Sequence, residues 1–404
     1  MFLFCISINI TAQNKDCDCI KELDFVAGKL KKVPSFRSQM KGRSDVHQKF
    51  IALLEEEIRR DKNISLNCIA YLQKYLTIIK DRHLYIVKQV EPVEGDFNAF
   101  YQRMPYRLTP FYDTPSEELI ANTENDNDPL TTVYRNMSES YTIAVIKDPD
   151  TSGEYLGILL SSNNKYWKKG QLRFILKKTA ENKYDHFEYN AYHYPNHRMA
   201  YFKEGVLYPN RWIPKHKWSD YKFNPYARGE NTFDFKELSA TTNYLYLGSF
   251  NGSNANKRKA DSILAIASKY IGKKSKLILD VRNNTGGGIR TYQPFIDALQ
   301  TYKGLTIYLI QNTNCASACE QFILKLKAKT NTILLGEATK GVIAYGYGNG
   351  TESYKTPCFG YKFQPTRKKF EKYLEYETTG IPADLNLDFK SDWVSQVLQY
   401  ANNN

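Results

Sequence analysis

Two strand-like runs, each ending in small residues and each followed by a helix-like stretch, constrain this chain more than any other feature. Leu277-Ile-Leu-Asp280 continues into Val281-Arg-Asn-Asn-Thr-Gly286-Gly287-Gly288, and Thr306 to Ile310 leads into Asn314-Cys-Ala-Ser317-Ala-Cys-Glu320. A short continuous apolar run between helical stretches reads as a strand buried on both faces. Tyr244 to Phe250 and Thr332 to Leu335 read as further strands, and Arg258 to Tyr270, Thr291 to Tyr302 and Ala318 to Ala328 as helices. Strands alternating with helices specify an α/β fold from about residue 236 onward, with function expected where the strands end.

Upstream the pattern changes. Residues 15–95 read mainly helical: Leu53, Leu54 and Ile58 give one apolar stripe, and Ile69, Leu72, Leu76 and Ile79 give another at three- and four-residue spacing. From 96 to 235 short β-rich runs take over, at Tyr141 to Ile146, Tyr155 to Leu160, Leu172 to Leu176, Phe187 to Tyr194 and Met199 to Phe202. They predict an antiparallel β-rich domain inserted between the helical segment and a core spanning 236–404. Residues 1–14 are apolar and read as a secretory signal, with Thr11-Ala12-Gln13 as its cleavage region. That segment has no basic start, and an apolar first strand or helix is the competing reading. No later run is long and apolar enough for a transmembrane helix. The expectation is a secreted or periplasmic protein, cell-envelope association included, with no integral membrane segment in its mature form.

A hydrophobic fraction of 42% marks a folded chain and excludes a disordered one. The net charge of +13 invites a nucleic-acid partner, but the lysine pairs at 31–32, 168–169, 273–274 and 368–369 are scattered along the chain. They read as a solvated surface, and no nucleic acid is expected. Of the seven cysteines, Cys17 or Cys19 could pair with Cys68 in an exported protein, the connectivity being open. Cys17-Asp-Cys19 lacks a second ligand pair for a metal, and Asn125-Asp-Asn-Asp128 lacks the spaced ligands and glycine of a calcium loop. Neither a metal nor an organic cofactor is expected. Cys315 and Cys319 read as small packing residues.

Ser317, placed at the first turn of a helix, could present its hydroxyl away from the helix body. The Ala318 amide would face the same space with the positive end of the helix dipole behind it. Gly286 and Gly287 could bring a second amide close, because no Cβ obstructs them. A nucleophile beside two such amides suits acyl transfer. The competing reading is purely structural: Ser317-Ala-Cys-Glu320 also spells a capping box, and glycines after a strand also make a turn. A serine needs a base, and six histidines are available: His47, His83, His186, His193, His197 and His216. His83 ends a helical stripe within Lys80-Asp-Arg-His83, just before the apolar run Leu84 to Val87. It suits a base, although a histidine at such a junction is more often a helix-end partner for a carboxylate. His193 and His197 alternate with tyrosines and read as sheet-surface residues. Glu377 precedes the turn Gly380-Ile-Pro382 and could orient a base, although an isolated glutamate before a turn is usually solvated. Trp167, Trp212 and Trp218 suit sheet packing or an aromatic platform.

In order, Asp280-Val-Arg-Asn-Asn-Thr-Gly-Gly287, Ser317-Ala-Cys-Glu320, Gly336-Glu-Ala-Thr339 and Gly380-Ile-Pro-Ala-Asp384 resemble the superfamily of tail-specific (C-terminal processing) proteases and the tricorn core protease. The resemblance covers about 236–390 and extends weakly to Leu76 to His83. It implies a crotonase-like (ClpP/crotonase) β/α spiral core and a serine endopeptidase acting on oligopeptides or unfolded polypeptides. Tail-specific members draw their base from a lysine shortly after Gly-Glu-x-Thr. Here that place holds Val342, and Lys340 falls two positions early. The tricorn-like branch uses a histidine from the N-terminal helical part and a glutamate near the end of the core, places matched by His83 and Glu377. Arg82 departs from the serine that precedes that histidine in tricorn. The implied roles are Ser317 as nucleophile, His83 as base, Glu377 positioning or polarising the machinery, and Ala318 with Gly286 or Gly287 donating to the oxyanion. The PDZ module usual in tail-specific members has no counterpart, and the β-rich middle stands in its place. Related modules that bind retinoids make a non-catalytic peptide or apolar-ligand binding protein on the same fold the alternative. Oligomeric state is left unconstrained.

Overall fold

A computed structural model describes residues 18–89, 96–138, 140–227, 229–348 and 352–404; the expected signal segment 1–14 and Cys17 lie outside them. The C-terminal part is organised by a six-stranded sheet whose spatial order follows the sequence: Phe233–Glu237, Thr242–Leu247, Lys276–Asp280, Thr306–Gln311, Asn331–Gly336 and Leu385–Asn386. The first pair is antiparallel and every later pair parallel. The sheet is buried on both faces, which explains its unbroken apolar strands. Leu277, Leu279, Ile307 and Leu309 point into one layer with Ala267 of Asn254–Ile271, Phe295 of Ile289–Leu299 and Phe322 of Ala318–Lys327. Ile278, Tyr308 and Ile310 point the other way, against Trp393, Val397 and Ala401 of the C-terminal helix Trp393–Asn403. Each anticipated strand and helix of this part is present, its ends displaced by no more than four residues.

The β-rich middle is a closed barrel. Eight strands from Thr132–Asn136 to Trp212–Pro214 pair antiparallel in sequence order, and the last returns to the first. Closure satisfies the edge groups that an open sheet would expose. Tyr134, Ile143, Leu159, Phe174, Leu176 and Trp212 pack together in one cluster. Ala144, Leu156 and Ile158 alternate with them and pack on Leu119 of the helix Ser116–Glu124. Trp167 and Trp212 are buried, which favours packing over an exposed platform. Two expectations fail here. The strand placed at Phe187 to Tyr194 runs instead from Lys183 to Tyr189. It ends because Asn190 Oδ1 accepts the Tyr192 and Tyr194 amides, closing a turn in which His193 has φ 65°. His193 and His197 are buried rather than on the sheet surface. His193 bridges Thr109 Oγ1 and the Tyr166 carbonyl, and His197 Nε2 meets Asp185 at 2.9 Å.

Helices Cys19–Leu30, Ser44–Arg60 and Ile64–Leu76 form the N-terminal layer, with Cys19 bonded to Cys68. Ile69, Leu72, Leu76 and Ile79 are buried as anticipated, and so are Leu54 and Ile58; Leu53 is 60% exposed, one position off that face. What joins this layer to the sheet is a late return of the chain. Tyr85–Val87 pairs antiparallel with Lys362–Gln364, and the buried Glu22 carboxylate accepts from Thr356 Oγ1 and the Cys358 amide, each at 2.9 Å. The turn at 81–84 is thereby carried to the C-terminal ends of the sheet strands. Among the described residues no helix is long and apolar enough to cross a membrane.

Candidate active site

Ser317 follows the strand Thr306–Gln311 and caps the helix Ala318–Lys327 with φ 60° and ψ −119°. A β-carbon is disfavoured at positive φ, so this backbone stores strain of order 1–3 kcal/mol that its surroundings must hold. Glu320 Oε2 accepts the Ser317 amide at 2.8 Å, the Ala316 amide bonds the Asn284 carbonyl at 3.1 Å, and the Lys340 amide bonds the Cys315 carbonyl at 2.9 Å. The anticipated capping box is therefore present through Glu320, and the Ser317 hydroxyl also meets an imidazole. His83 Nε2 lies 2.8 Å from Ser317 Oγ, across 234 residues of sequence.

The turn carrying His83 is fixed by its neighbours. Asp81 Oδ1 accepts the His83 and Leu84 amides at 3.2 and 3.3 Å, while Asp81 Oδ2 takes the hydroxyls of Ser35 (2.6 Å) and Thr366 (2.5 Å). The Tyr347 hydroxyl donates to the His83 carbonyl, and its ring stands edge-on to the imidazole with centroids 5.5 Å apart. Burial first, and then the charge of Lys340, lower the His83 pKa to about 4. The ring is thus neutral at pH 7 and able to accept a proton. Its Nδ1 is buried without a hydrogen-bond partner among the described residues.

Glu377 sits near this turn without touching the imidazole. Its Oε1 accepts the Arg82 amide at 2.8 Å, and its Oε2 accepts the Ile343 and Ala344 amides at 2.9 and 2.8 Å. It is buried at 3% exposure, not solvated. It meets the His83 turn through the main chain, the geometry of a positioning residue rather than of a group in contact with the imidazole. Arg82 continues the same link, its guanidinium donating to the Lys340 carbonyl. Val342 is buried and gives its amide to Glu320 Oε2 at 2.9 Å.

Gly286 and Gly287 both have positive φ, 92° and 142°. A Cβ at Gly286 would lie 2.6 Å from the Ala316 carbonyl oxygen and 2.8 Å from the Ala318 nitrogen; one at Gly287 would lie 1.9 Å from the Phe250 carbonyl oxygen. The glycines are needed for this close approach of strand end to Ser317. The Gly286 amide is already spent on Asn284 Oδ1 at 2.9 Å, which narrows the anticipated choice to Gly287 as a partner for Ala318. Ala318 opens the helix, where amides have no intrahelical acceptor. Asp280, which opens the first motif, is a structural anchor: it binds Arg282 and accepts from the Tyr244 hydroxyl at 3.0 Å.

Glu320 is the residue whose importance the sequence understated. Besides Ser317 and Val342 it receives Thr339 Oγ1 at 2.6 Å and the Gly341 amide at 2.7 Å. Its place in a capping box was the available signal. Asp81, Asn284 and Tyr347 carried none, because their partners are remote in sequence.

No protein-family model and no curated protein sequence matches this chain. Among solved structures it is similar to mature CPAF at 10% identity, over 96% of this chain and 98% of that one, with a TM-score of 0.45. It is also similar to the photosystem II D1 C-terminal processing protease at 12% identity, over 93% and 94% of the two chains, with a TM-score of 0.38. Similarity to the tricorn protease is 12% identity over 95% of this chain and 37% of that one, with a TM-score of 0.38.

Proposed function

We propose that this chain is a serine peptidase on a crotonase-like spiral, cleaving oligopeptides or unfolded polypeptides. The observation that carries the proposal is the 2.8 Å contact of His83 Nε2 with a serine hydroxyl held at a strained helix entry. In this reading His83 removes the hydroxyl proton as Ser317 Oγ attacks the peptide carbonyl, and the tetrahedral oxyanion is met by the Ala318 and Gly287 amides. His83 then returns the proton to the leaving amine, and water, activated by the same imidazole, releases the acyl group. Glu377 and Asp81 hold the turn that aims the ring. Export is part of the proposal, supported by the Cys19–Cys68 disulfide and by Cys358 being disulfide-bonded, since such bonds persist in oxidising compartments. So is the division into a leader at 1–14, a helical segment at 15–95, a middle domain at 96–235 and a catalytic core. A serine-directed phosphonate should label Ser317 covalently and stop turnover; absence of adduct on folded protein would favour the non-catalytic binding alternative.

The choice of base has its own test. Because His83 titrates at about 4, kcat/KM should be flat through neutrality and fall only as pH drops toward 4, when the imidazole takes up a proton. The Lys340 charge lowers the His83 pKa, so Lys340→Ala should retain neutral-pH activity and move the acid limb upward. A dead Lys340→Ala enzyme would instead assign the base to the lysine.

A further inference from the structure

One end of the barrel carries a partly open cavity of about 280 Å³ lined by Asn136, Tyr141, Arg173, Glu188, Arg198 and Asn210. Arg173 is only 8% exposed, and its Nε and Nη1 have no hydrogen-bond partner among the described residues. Its guanidinium carbon sits 5.0 Å from the ring centres of both Tyr141 and Trp167, which hold it flat without satisfying its donors. The carboxylate in the cavity is already committed. Glu188 Oε1 takes Arg198 Nε at 2.8 Å, and Glu188 Oε2 takes Asn210 Nδ2 at 2.7 Å. Two guanidinium groups therefore share one carboxylate. Trp212 Nε1, on a second cavity-lining residue, is another buried donor without a partner among the described residues.

A buried charge without a counter-ion is expensive, so such groups are normally paired. A guanidinium fork is complementary to a carboxylate, which can accept two of its N–H groups at once. The uncompensated charge is one unit, which suits a carboxylate better than a phosphate dianion beside Glu188. We propose that this end of the barrel binds a carboxylate-bearing ligand, the carboxylate seated on Arg173 and the remainder among Asn136, Asn210 and Trp212. The volume limits the seated part to a small acid. Arg198 belongs to the strand Pro195–Lys203, which packs on the helix Ile64–Leu76 through Gln73 bonds to Asn196 and His197, so this wall of the cavity lies against the layer that carries His83. The carboxylate could accordingly belong to a free small acid or to a side chain of a peptide lying in the cleft.

Calorimetric titration of the wild-type protein with N-acetylglutamate and with its neutral diamide tests the free-acid source without any peptide cleavage. Titration of the Ser317→Ala protein with short peptides differing only in Glu or Gln tests the other. Saturable binding of the acid form, in either arm, with loss of about 10- to 100-fold in affinity for the amide form, is the expected result. Binding in the first arm assigns a small acid, and binding confined to the second assigns a substrate side chain. Arg173→Met keeps the apolar stem, removes the unpartnered donors and should abolish the acid preference. Equal affinity for acid and amide, no binding in both arms, or an acid preference surviving in folded Arg173→Met would each overturn the assignment. The readout is binding, so failure of the peptidase reading would leave it standing.

Discussion

Replacing Ser317 with alanine should lower peptide hydrolysis by about 10⁵- to 10⁶-fold, the usual consequence of removing an activated nucleophile. Thermal unfolding should change little, because the Ser317 hydroxyl's short hydrogen bond is to the neutral His83 Nε2 while its amide keeps Glu320. Ser317→Gly sharpens the test. Glycine accommodates φ 60° and ψ −119° without the steric penalty of a β-carbon, so this variant should be equally inactive. It should be as stable as the parent or more stable, by up to about 1 kcal/mol after the added flexibility of the unfolded chain is counted. The combination of lost activity and unchanged or raised stability is the signature of a site that stores strain for chemistry. Turnover of a fluorogenic unfolded substrate and the melting temperature of both variants decide it. Wild-type hydrolysis by either would remove Ser317 from the mechanism.

The strand and helix order of 236–404 was legible because its physics is local and repetitive: buried parallel strands read as apolar runs, and the helices between them carry one apolar face. Ser317 and the glycines were legible for a related reason, since a serine at a helix entry and glycines at a strand end need unusual backbone that few residues supply. His83 is reached through the resemblance; by itself its position suits a helix end better than a base. The barrel was read only as β-rich, because closure depends on Thr132–Asn136 meeting Trp212–Pro214, a pairing that no spacing announces. His193 and His197 were misplaced because alternation with tyrosine assumes one wet face, whereas His193 lies in a turn packed under Thr109 and His197 is paired with Asp185. Glu377 was found, but not what it holds: amides from residue 82 and from 343–344 are brought together only by the finished fold.

The largest loss of stability is expected from Glu320→Ala. The carboxylate is fully buried and is the acceptor for four donors, the amides of Ser317, Gly341 and Val342 and the Thr339 hydroxyl. Truncation leaves all four without their acceptor in a place shielded from solvent. Each unsatisfied buried donor costs about 1–3 kcal/mol, and partial relaxation keeps the total below their sum, at about 3–5 kcal/mol. Glu320→Gln should be milder but not neutral: its amide nitrogen would replace one oxygen and face two N–H or O–H donors whichever way it is turned. Both variants should lose activity beyond what unfolding explains. Glu320 fastens the strained Ser317 backbone to the loop 339–342, and that loop's Lys340 carbonyl in turn receives Arg82, the neighbour of His83. Loosening the carboxylate therefore loosens nucleophile and base together, so kcat should fall well below the parent at temperatures where the variant remains fully folded. Chemical denaturation alongside kcat measured well below the melting temperature separates the two effects. A Glu320→Ala protein with parental stability would refute the anchoring role, and one that is destabilised yet turns over at the parental rate would confine that role to folding.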